Sequence, residues 1–287
     1  MAEDPRVEAL PIPGGRIELL RLPGGTGVPL LVLGGVETGL RPLAGSEHVM
    51  VRRWQGRTAR RPVVIAGRPL PDDPADAELL MHPRVIAESV ARALDWVAGN
   101  GGPQPPCAVE AESGGGRISL WLAVDRPDLV ARLVLASVAS ETPPGSPMAL
   151  RMAQWLTLAD NDEWGVFFGH MATQMRPAQG TAGAPSFDAA ARLQPKPATP
   201  ERFVGELRAT LDPSSFVTSR LREVAVPALL LAGGRDQVVP VAATRQVAEQ
   251  LPNARLEVDP ECGHTVRATF AGYHQLVEAF LATGDPA

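Results

Sequence analysis

The composition of the chain is that of an ordinary globular protein. It has 287 residues, of which 45% are hydrophobic, and this length is typical of one core domain that carries an insertion. The formal net charge of −5 argues against nucleic acid as a partner. No apolar run approaches the roughly 20 residues that a membrane span needs, and the N-terminus lacks the order of a signal peptide. We therefore expect a cytoplasmic protein without a membrane span.

The two cysteines, Cys107 and Cys262, lie far apart in the chain and form no metal-ligand spacing such as CxxC. We interpret both as reduced, buried thiols, because free cysteine is among the most buried residue types. No metal site and no cofactor are predicted. The basic run at 52–61 is interpreted as the polar face and the end of a helix rather than as a surface for nucleic acid.

Short apolar runs bounded by glycine and proline predict the strands. In chain order the predicted strands cover 16–22, 29–35, 61–67, 107–112, 131–138, 227–234 and 254–259. Helical patterns cover 83–98, 117–125, 241–251 and 265–281, and the first of them begins with a proline at a favoured first-turn position. Strands that alternate with helices predict an α/β fold with a mainly parallel, twisted sheet flanked by helices.

The region 141–222 interrupts this alternation because it contains no clear buried strand. Helical pieces are predicted around 148–160 and 162–176, with loops at 177–186 and 194–200. We interpret the region as an inserted, mobile helical cap on a core formed by residues 1–140 and 223–287. Many of the methionine, phenylalanine and tryptophan residues lie in it. They either dock the cap on the core or line an apolar substrate pocket between the two, and both roles are compatible.

A serine followed by three glycines stands between a predicted strand and a predicted helix. The stretch AESGG (111–115) matches the nucleophile elbow G-x-S-x-G with alanine in place of the first glycine. In that turn the residues two before and two after the serine must be small. Gly114 can donate its backbone N–H to an oxyanion, and Gly116 lets the helix lie close to the strands. Each glycine costs about 1 kcal/mol in helix propensity, so the run predicts close approach of the backbone.

Other readings of the glycines fit less well. A P-loop ends in G-K-[ST], whereas Arg117 follows here. A dinucleotide site needs an acidic residue at the end of the next strand, but that strand ends in Ala136 and Ser137. A Gly-rich turn with a purely structural role stays open as an alternative.

A serine nucleophile needs a base and an acid that orients the base. In a strand–turn–helix elbow fold these follow in the order Ser, Asp or Glu, His, each in a loop after a later strand. Asp236 follows the strand predicted at 227–234, and His264 follows the strand predicted at 254–259. Ser113, Asp236 and His264 are therefore the candidate catalytic residues. Glu141, after the strand at 131–138, is the substitute acid.

The stretches AESGGG, RPDLVARLVLAS, VPALLLAGGRDQVVP and LPNARLEVDPECGHTV resemble segments of the α/β-hydrolase superfamily in their usual order, over almost the whole chain. The subgroup resembled is that of small capped esterases, lactonases and cofactor-free perhydrolases. This resemblance implies Ser113 as the nucleophile, Asp236 as the orienting acid and His264 as the base. It also places 141–222 at the position of the family's variable cap.

The second oxyanion donor comes, by the same resemblance, from the loop LVLGGVETGL. Many relatives have His-Gly at its start, where this chain has Gly34 and Gly35, so the histidine that shapes the loop is absent. The backbone N–H of Val36 is the implied donor, together with that of Gly114.

The resulting hypothesis is a serine hydrolase. It cleaves a carboxylic ester, lactone or thioester whose apolar portion lies under the cap, through an acyl-enzyme on Ser113. Two alternatives stay open: an acyltransferase or cofactor-free perhydrolase with the same triad, and a non-hydrolytic ligand-binding or biosynthetic protein of this fold. His170 is the best further candidate for a substrate contact. The sequence determines neither the substrate nor the oligomeric state.

Overall fold

The computed structural model of the protein describes residues 5–176 and 196–283. Within these ranges the chain forms one mixed sheet whose strands pair in the order β1-β2-β4-β3-β6-β7-β8-β9, with β5 paired to β2. The strands are β1 (Arg6–Ile12), β2 (Gly15–Leu22), β3 (Leu30–Leu33), β4 (Val63–Ala66), β5 (Leu70–Pro71), β6 (Cys107–Glu112), β7 (Val130–Ala136), β8 (Ala228–Gly233) and β9 (Ala254–Asp259). The pairs of β2 with β1, β4 and β5 are antiparallel, and all pairs from β4 through β9 are parallel.

Helices cover both faces of this sheet. The α-helices are α1 (Val36–Gly39), α2 (Glu47–Thr58), α3 (Ala77–Leu80), α4 (Pro83–Gly99), α5 (Gly114–Asp125), α6 (Pro147–Asp160), α7 (Trp164–Gln174), α8 (Pro200–Leu211), α9 (Val241–Gln250), α10 (Val266–Thr269) and α11 (Tyr273–Ala282). Short 3₁₀ turns lie at Pro74–Asp76, Pro127–Leu129, Pro213–Ser215 and Thr218–Glu223.

The central strands are apolar along their whole length because both of their faces are buried. In β3, Leu31 and Leu33 join the larger hydrophobic core, which includes α4 and α5, whereas Leu30 and Val32 join the core under α2 and α11. Successive side chains of a strand point to opposite faces, so one strand contributes to both cores. The fold is therefore the α/β class that the sequence predicts, with a mainly parallel sheet between two helical layers.

Two strands and two helical regions differ from the sequence-based prediction. Strand β1 is a half-exposed edge strand with a proline in it, and such a strand lacks the continuous apolar run of the central ones. Strand β5 has only two residues. Helix α8 was not among the predicted helices, and it buries Arg202 and Glu206 beside its apolar residues. The helix predicted over 265–281 is two helices, α10 and α11, because Gly272 between them has a left-handed φ of 73°.

The basic run at 52–61 does end a helix, but it is not only a polar face. Arg57 and Arg61 are buried, and Arg57 pairs with Glu110 of β6 and with Glu278 of α11. Within the run, Arg52 and Arg60 are exposed. Buried arginines of this kind hold elements of the core together.

Helices α6, α7 and α8 lie between β7 and β8 in the chain, at the position of the insertion expected from the sequence. The predicted loop at 177–186 and Phe187 lie outside the described residues. Five aromatic side chains of these helices pack against one another, with ring centroids 5.2 to 6.2 Å apart: Trp155, Trp164, Phe167, Phe168 and Phe203. These aromatics hold the three helices together.

Candidate active site

Ser113 occupies a strained turn between β6 and α5. Its φ of 53° and ψ of −121° lie outside the regions that ordinary residues prefer, and it is followed at once by the first residue of the helix. The helix therefore begins at Gly114, three residues before the predicted start at 117. The Ser113 N–H donates to the carbonyl of Ala136 at 2.9 Å, so the turn is held against the end of the neighbouring strand β7.

The glycines after the serine allow this turn to lie close to the sheet. A Cβ on Gly115 would lie 2.4 Å from the carbonyl oxygen of Leu33 and 2.5 Å from that of Gly34. A Cβ on Gly116 would lie 2.6 Å from a methyl group of Val138. The nearest neighbours of Gly115 thus belong to the end of β3 and not to Ala111, where the elbow pattern had placed the crowding.

The structure brings the three candidate catalytic residues together. His264 Nδ1 lies 2.8 Å from Asp236 Oδ2, and His264 Nε2 lies 3.1 Å from Ser113 Oγ. The carboxylate can only accept, so Nδ1 carries the proton of the neutral imidazole and Nε2 accepts from the serine hydroxyl. The three residues follow β6, β8 and β9, and the carboxyl ends of these parallel strands meet at one edge of the sheet.

Both carboxylate oxygens of Asp236 are engaged in hydrogen bonds. Its Oδ1 accepts the backbone N–H groups of Val238 and Val239 at 2.8 and 2.9 Å, while Oδ2 faces His264. The side chains of Asp236 and His264 are both almost fully buried. Two backbone donors and the histidine therefore replace the water that the carboxylate loses on burial.

The pKa of His264 is raised above its ordinary value of 6.5. Burial lowers the pKa, but the charge of Asp236 and the hydrogen bond to it raise the pKa by more. Glu112 raises it further, whereas Arg151 of α6 lowers it. The imidazolium that forms when the serine gives up its proton is thus stabilised by its surroundings.

The loop 34–40 follows β3 and runs beside the serine; we call it the oxyanion loop. Its residues 36–39 form the one-turn helix α1, in which the Gly39 N–H donates to the Gly35 carbonyl at 2.7 Å. In the trans peptide between Gly35 and Val36, the carbonyl and the N–H point in opposite directions. The Gly35 carbonyl points into the helix towards the Gly39 N–H, so the Val36 N–H points out of the start of the helix. A Cβ on Gly35 would lie 3.3 Å from the Cβ of Ser113.

Val36 and Gly114 are each the first residue of a helix, so neither N–H has an intrahelical acceptor. The two residues are neighbours, since a Cβ on Gly114 would lie 3.2 Å from a methyl group of Val36. Two helix N-termini thus converge beside Ser113, and each favours negative charge there. This is the arrangement expected of the two predicted oxyanion donors.

A cavity of about 40 Å³ opens at Ser113. Its apolar lining comes from the insertion (Met148 and Met152), from the loop after Asp236 (Val238 and Val239) and from the core (Val36, Pro83 and Ala139). Its polar lining comprises Ser113, Gly114, Arg117, Glu206 and Thr210. The insertion contributes two methionines of α6 to the apolar lining of this cavity. None of the described tryptophans or phenylalanines lines it.

The insertion also contacts the catalytic loops through its backbone. The His264 N–H donates to the carbonyl of Met175 at 3.1 Å, and Gln237 Nε2 donates to the carbonyl of Arg176 at 3.2 Å. Both carbonyls lie just after α7. The segment that ends this helix therefore packs directly on the loops that carry the candidate acid and base.

Other residues considered from the sequence lie elsewhere or have different partners. Glu141 accepts from Gln246 Nε2 at 3.0 Å, and it is Asp236 that reaches the histidine. His82 pairs with Ser214 at 3.2 Å. His170 lies on α7, half-buried, and its Nδ1 has no hydrogen-bond partner among the residues that the structure describes. Among residues 5–176 and 196–283 no group of three or more His, Cys, Asp or Glu could hold a metal ion, and no helix is long and apolar enough to cross a membrane.

Sequence reasoning missed two residues at this site, Arg68 and Glu206. They form a buried ion pair beside the oxyanion loop, although they are far apart in the chain. The signal available was indirect: an arginine directly after an apolar strand, and a glutamate amid the apolar residues of α8. Neither pattern indicates a partner.

Comparison with known proteins identifies the family of the chain. Residues 86–268, more than half of the chain, match the family model described as serine aminopeptidase, S33. The chain belongs to this family of α/β-hydrolases. The S33 match includes the elbow, the acid and the histidine.

This α/β-hydrolase is similar to two curated relatives and to a solved structure. The chain is 27% identical over 180 residues to the pimeloyl-[acyl-carrier protein] methyl ester esterase of Nitrosomonas europaea, covering 58% of this chain and 67% of that protein. It is 26% identical over 179 residues to the 2-hydroxymuconate semialdehyde hydrolase of Pseudomonas putida, covering 62% and 63%. The chain thus spans about two thirds of the length of these relatives. A thermophilic esterase from Thermogutta terrifontis has the same fold, with a TM-score of 0.71 at 16% identity over 99% of this chain and 100% of that one.

Proposed function

We propose that this α/β-hydrolase is a serine hydrolase that cleaves a carboxylic ester through an acyl-enzyme on Ser113. The observation that carries the proposal is the unbroken hydrogen-bond chain from Ser113 Oγ through His264 to Asp236. A strained elbow holds the serine at one end of that chain, and backbone donors hold the carboxylate at the other. This is the arrangement by which a serine is activated for attack on a carbonyl.

The reaction has two halves. In the first, His264 Nε2 takes the proton of Ser113 Oγ as this oxygen bonds to the ester carbonyl carbon. The carbonyl oxygen becomes an oxyanion that accepts from the N–H groups of Val36 and Gly114, and His264 then protonates the departing alcohol oxygen as the ester bond breaks. In the second half, His264 takes a proton from water. The hydroxide attacks the acyl-enzyme, and the proton returns to Ser113 Oγ as the acid leaves.

Asp236 acts through His264 in both halves. Its hydrogen bond keeps the Nδ1–H tautomer, so that Nε2 always faces the serine as the acceptor. Its charge also stabilises the imidazolium that exists while the tetrahedral intermediate lasts. The proton stays on the imidazole and is not passed to the carboxylate.

The cavity at Ser113 supports an apolar acyl group of limited size. Met148, Met152 and the two valines after Asp236 provide apolar surface for the acyl group. Short esters such as acetates and butyrates are the expected substrates, with lactones and thioesters as further acyl donors. Residues 141–222 act in this proposal as a cap on a core of residues 1–140 and 223–287.

Substitution of the serine tests the proposal. Ser113→Ala is expected to abolish turnover of p-nitrophenyl acetate and butyrate while the thermal unfolding temperature is retained. Ser119→Ala is the matched control, because Ser119 is a buried serine of α5, the helix that follows Ser113, and its hydroxyl donates to the Gly116 carbonyl. An unchanged rate in Ser113→Ala contradicts the proposal.

The acyl acceptor separates hydrolysis from its alternatives. With water competing against methanol or hydrogen peroxide in one assay, a hydrolase releases mainly the free acid. Predominant methyl ester or peracid instead identifies an acyltransferase or a cofactor-free perhydrolase with the same triad. Failure of a fluorophosphonate probe to label Ser113 identifies a non-hydrolytic protein of this fold.

A further inference from the structure

Two buried charges connect the insertion to the oxyanion loop. Arg68 follows β4, and Glu206 lies on α8. Arg68 Nε donates to the two carboxylate oxygens of Glu206 at 3.1 and 3.2 Å, and Nη2 donates to Oε1 at 2.8 Å. The side chain of Arg68 is fully buried, and that of Glu206 is 4% exposed. Neither charge therefore has water as an alternative partner.

The same arginine fixes both ends of the oxyanion loop. Arg68 Nη2 donates to the carbonyl of Gly34 at 3.0 Å, and the Arg68 N–H donates to the carbonyl of Gly39 at 3.0 Å. Val36 lies between these two points. Within the loop the Gly39 N–H and the Thr38 hydroxyl donate to the Gly35 carbonyl, whereas the Gly34 carbonyl accepts from outside the loop, from Arg68 Nη2.

A second arginine of α8 holds the end of the loop. Arg202 Nη1 donates to the carbonyl of Leu40 at 3.3 Å, and its Nη2 donates to the carbonyl of Arg68 at 3.0 Å. Arg202 and Glu206 are four residues apart, so they project from the same face of the helix. One face of α8 therefore binds both the loop and the arginine that orients it.

The backbone leaves room for this ion pair. A Cβ on Gly39 would lie 2.7 Å from Arg68 Nη1, and a Cβ on Gly114 would lie 3.1 Å from Glu206 Oε1. Glu206 also lines the cavity at Ser113. The pair thus lies against the residues of the oxyanion hole, and its displacement moves them.

We propose that Arg68 and Glu206 are positioning residues for the oxyanion hole. They fix the Gly34 carbonyl and thereby the direction of the Val36 N–H, and they make that direction depend on helix α8 of the insertion. The inference rests on the proposed function, because an oxyanion hole matters only if Ser113 attacks a carbonyl. Neither side chain touches the reacting atoms.

Two variants separate positioning from mere stabilisation. Arg68→Lys keeps both charges, but one ammonium lacks the planar fork that reaches the carboxylate and the Gly34 carbonyl together. The double substitution R68M/E206L removes both charges and leaves neither unpaired. In each, we expect kcat for p-nitrophenyl butyrate to fall about 10- to 100-fold, with KM changed by less than about threefold.

A boronic acid supplies a readout besides turnover. Butylboronic acid bonds to the serine oxygen and places a boronate oxygen where the oxyanion forms, so its affinity is expected to fall by a factor similar to that of kcat. Arg208→Gln is the matched control, since Arg208 is an exposed arginine of α8 that pairs with Glu78 and Asp160. It is expected to leave both quantities unchanged.

The outcomes are distinct. Wild-type kcat and boronate affinity in whichever of the two variants folds overturn the inference, and loss of both in that variant supports it. Arg68→Lys keeps both buried charges and R68M/E206L removes both. The folding of the first variant therefore depends on the pairing of the charges, whereas that of the second depends on apolar packing. If Ser113 of the unmodified protein is not labelled by a fluorophosphonate, the proposed function itself fails, and the inference fails with it.

Discussion

Replacement of Asp236 by asparagine is expected to reverse the direction of the hydrogen-bond chain while the fold is retained. The introduced amide oxygen can still accept the N–H groups of Val238 and Val239, which lie 2.8 and 2.9 Å from the present Oδ1. The amide nitrogen then faces His264 Nδ1, where the carboxylate oxygen lies 2.8 Å away now. Because this nitrogen only donates, Nδ1 must accept, and the proton moves to Nε2.

The consequence for Ser113 follows from that tautomer. With a proton on Nε2, the imidazole no longer accepts from the serine hydroxyl, and the base is lost. We expect kcat to fall by about 10⁴, as when the same wrong tautomer arises in other Ser-His-Asp enzymes. This factor corresponds to about 5.4 kcal/mol of transition-state stabilisation, at 1.36 kcal/mol for each tenfold change.

The assay is kcat for p-nitrophenyl butyrate, measured beside thermal unfolding. Asp259→Asn is the control, because Asp259, the last residue of β9, also accepts two backbone N–H groups but lies outside the triad. It is expected to retain activity. If Asp236→Asn retains kcat within about tenfold of the unmodified protein, the orienting role given to Asp236 and the tautomer argument are refuted.

Three further outcomes are expected. Since His264 must be neutral to accept a proton and its pKa is raised, kcat/KM rises with pH through a midpoint above 6.5. A lower midpoint contradicts the claim that Asp236 raises the pKa of His264 by more than burial lowers it. Gly115→Ala destabilises the protein by about 1–3 kcal/mol in thermal or urea unfolding, although alanine favours helices, because its Cβ meets the Leu33 carbonyl; a stabilised variant contradicts this. Met152→Ala enlarges the cavity and raises the ratio of kcat/KM for p-nitrophenyl hexanoate over acetate, and an unchanged ratio removes Met152 from the acyl site.

The sheet and the elbow were predictable because their signals are local. A strand buried on both faces needs a continuous apolar run, and the turn after β6 can accept no Cβ at Gly115 and Gly116. The meeting of Asp236 and His264 was predictable for a related reason. Each lies in the loop after a strand, and the carboxyl ends of neighbouring parallel strands lie at the same edge of the sheet. The spacing along the chain is irrelevant to that argument, whereas the order of the strands in the sheet decides it.

The contacts between the insertion and the loops were not predictable. Arg68 and Glu206 meet because α8 packs on α1 and α3, and no pattern in the sequence encodes that packing. Nor does the sequence show that Arg202 and Glu206, two charged residues of α8, are buried in the fold. Strand β1 was missed for a different reason, since an exposed edge strand needs few apolar residues.

Covalent labelling of the serine tests the central claim most directly. Incubation with a fluorophosphonate, followed by peptide mass spectrometry, is expected to place one phosphonyl adduct on Ser113 and to leave Ser119 and Ser137 unmodified. The label is expected to disappear in Ser113→Ala and to form far more slowly in Asp236→Asn. If the folded protein without substitutions acquires no adduct on Ser113, the account is contradicted.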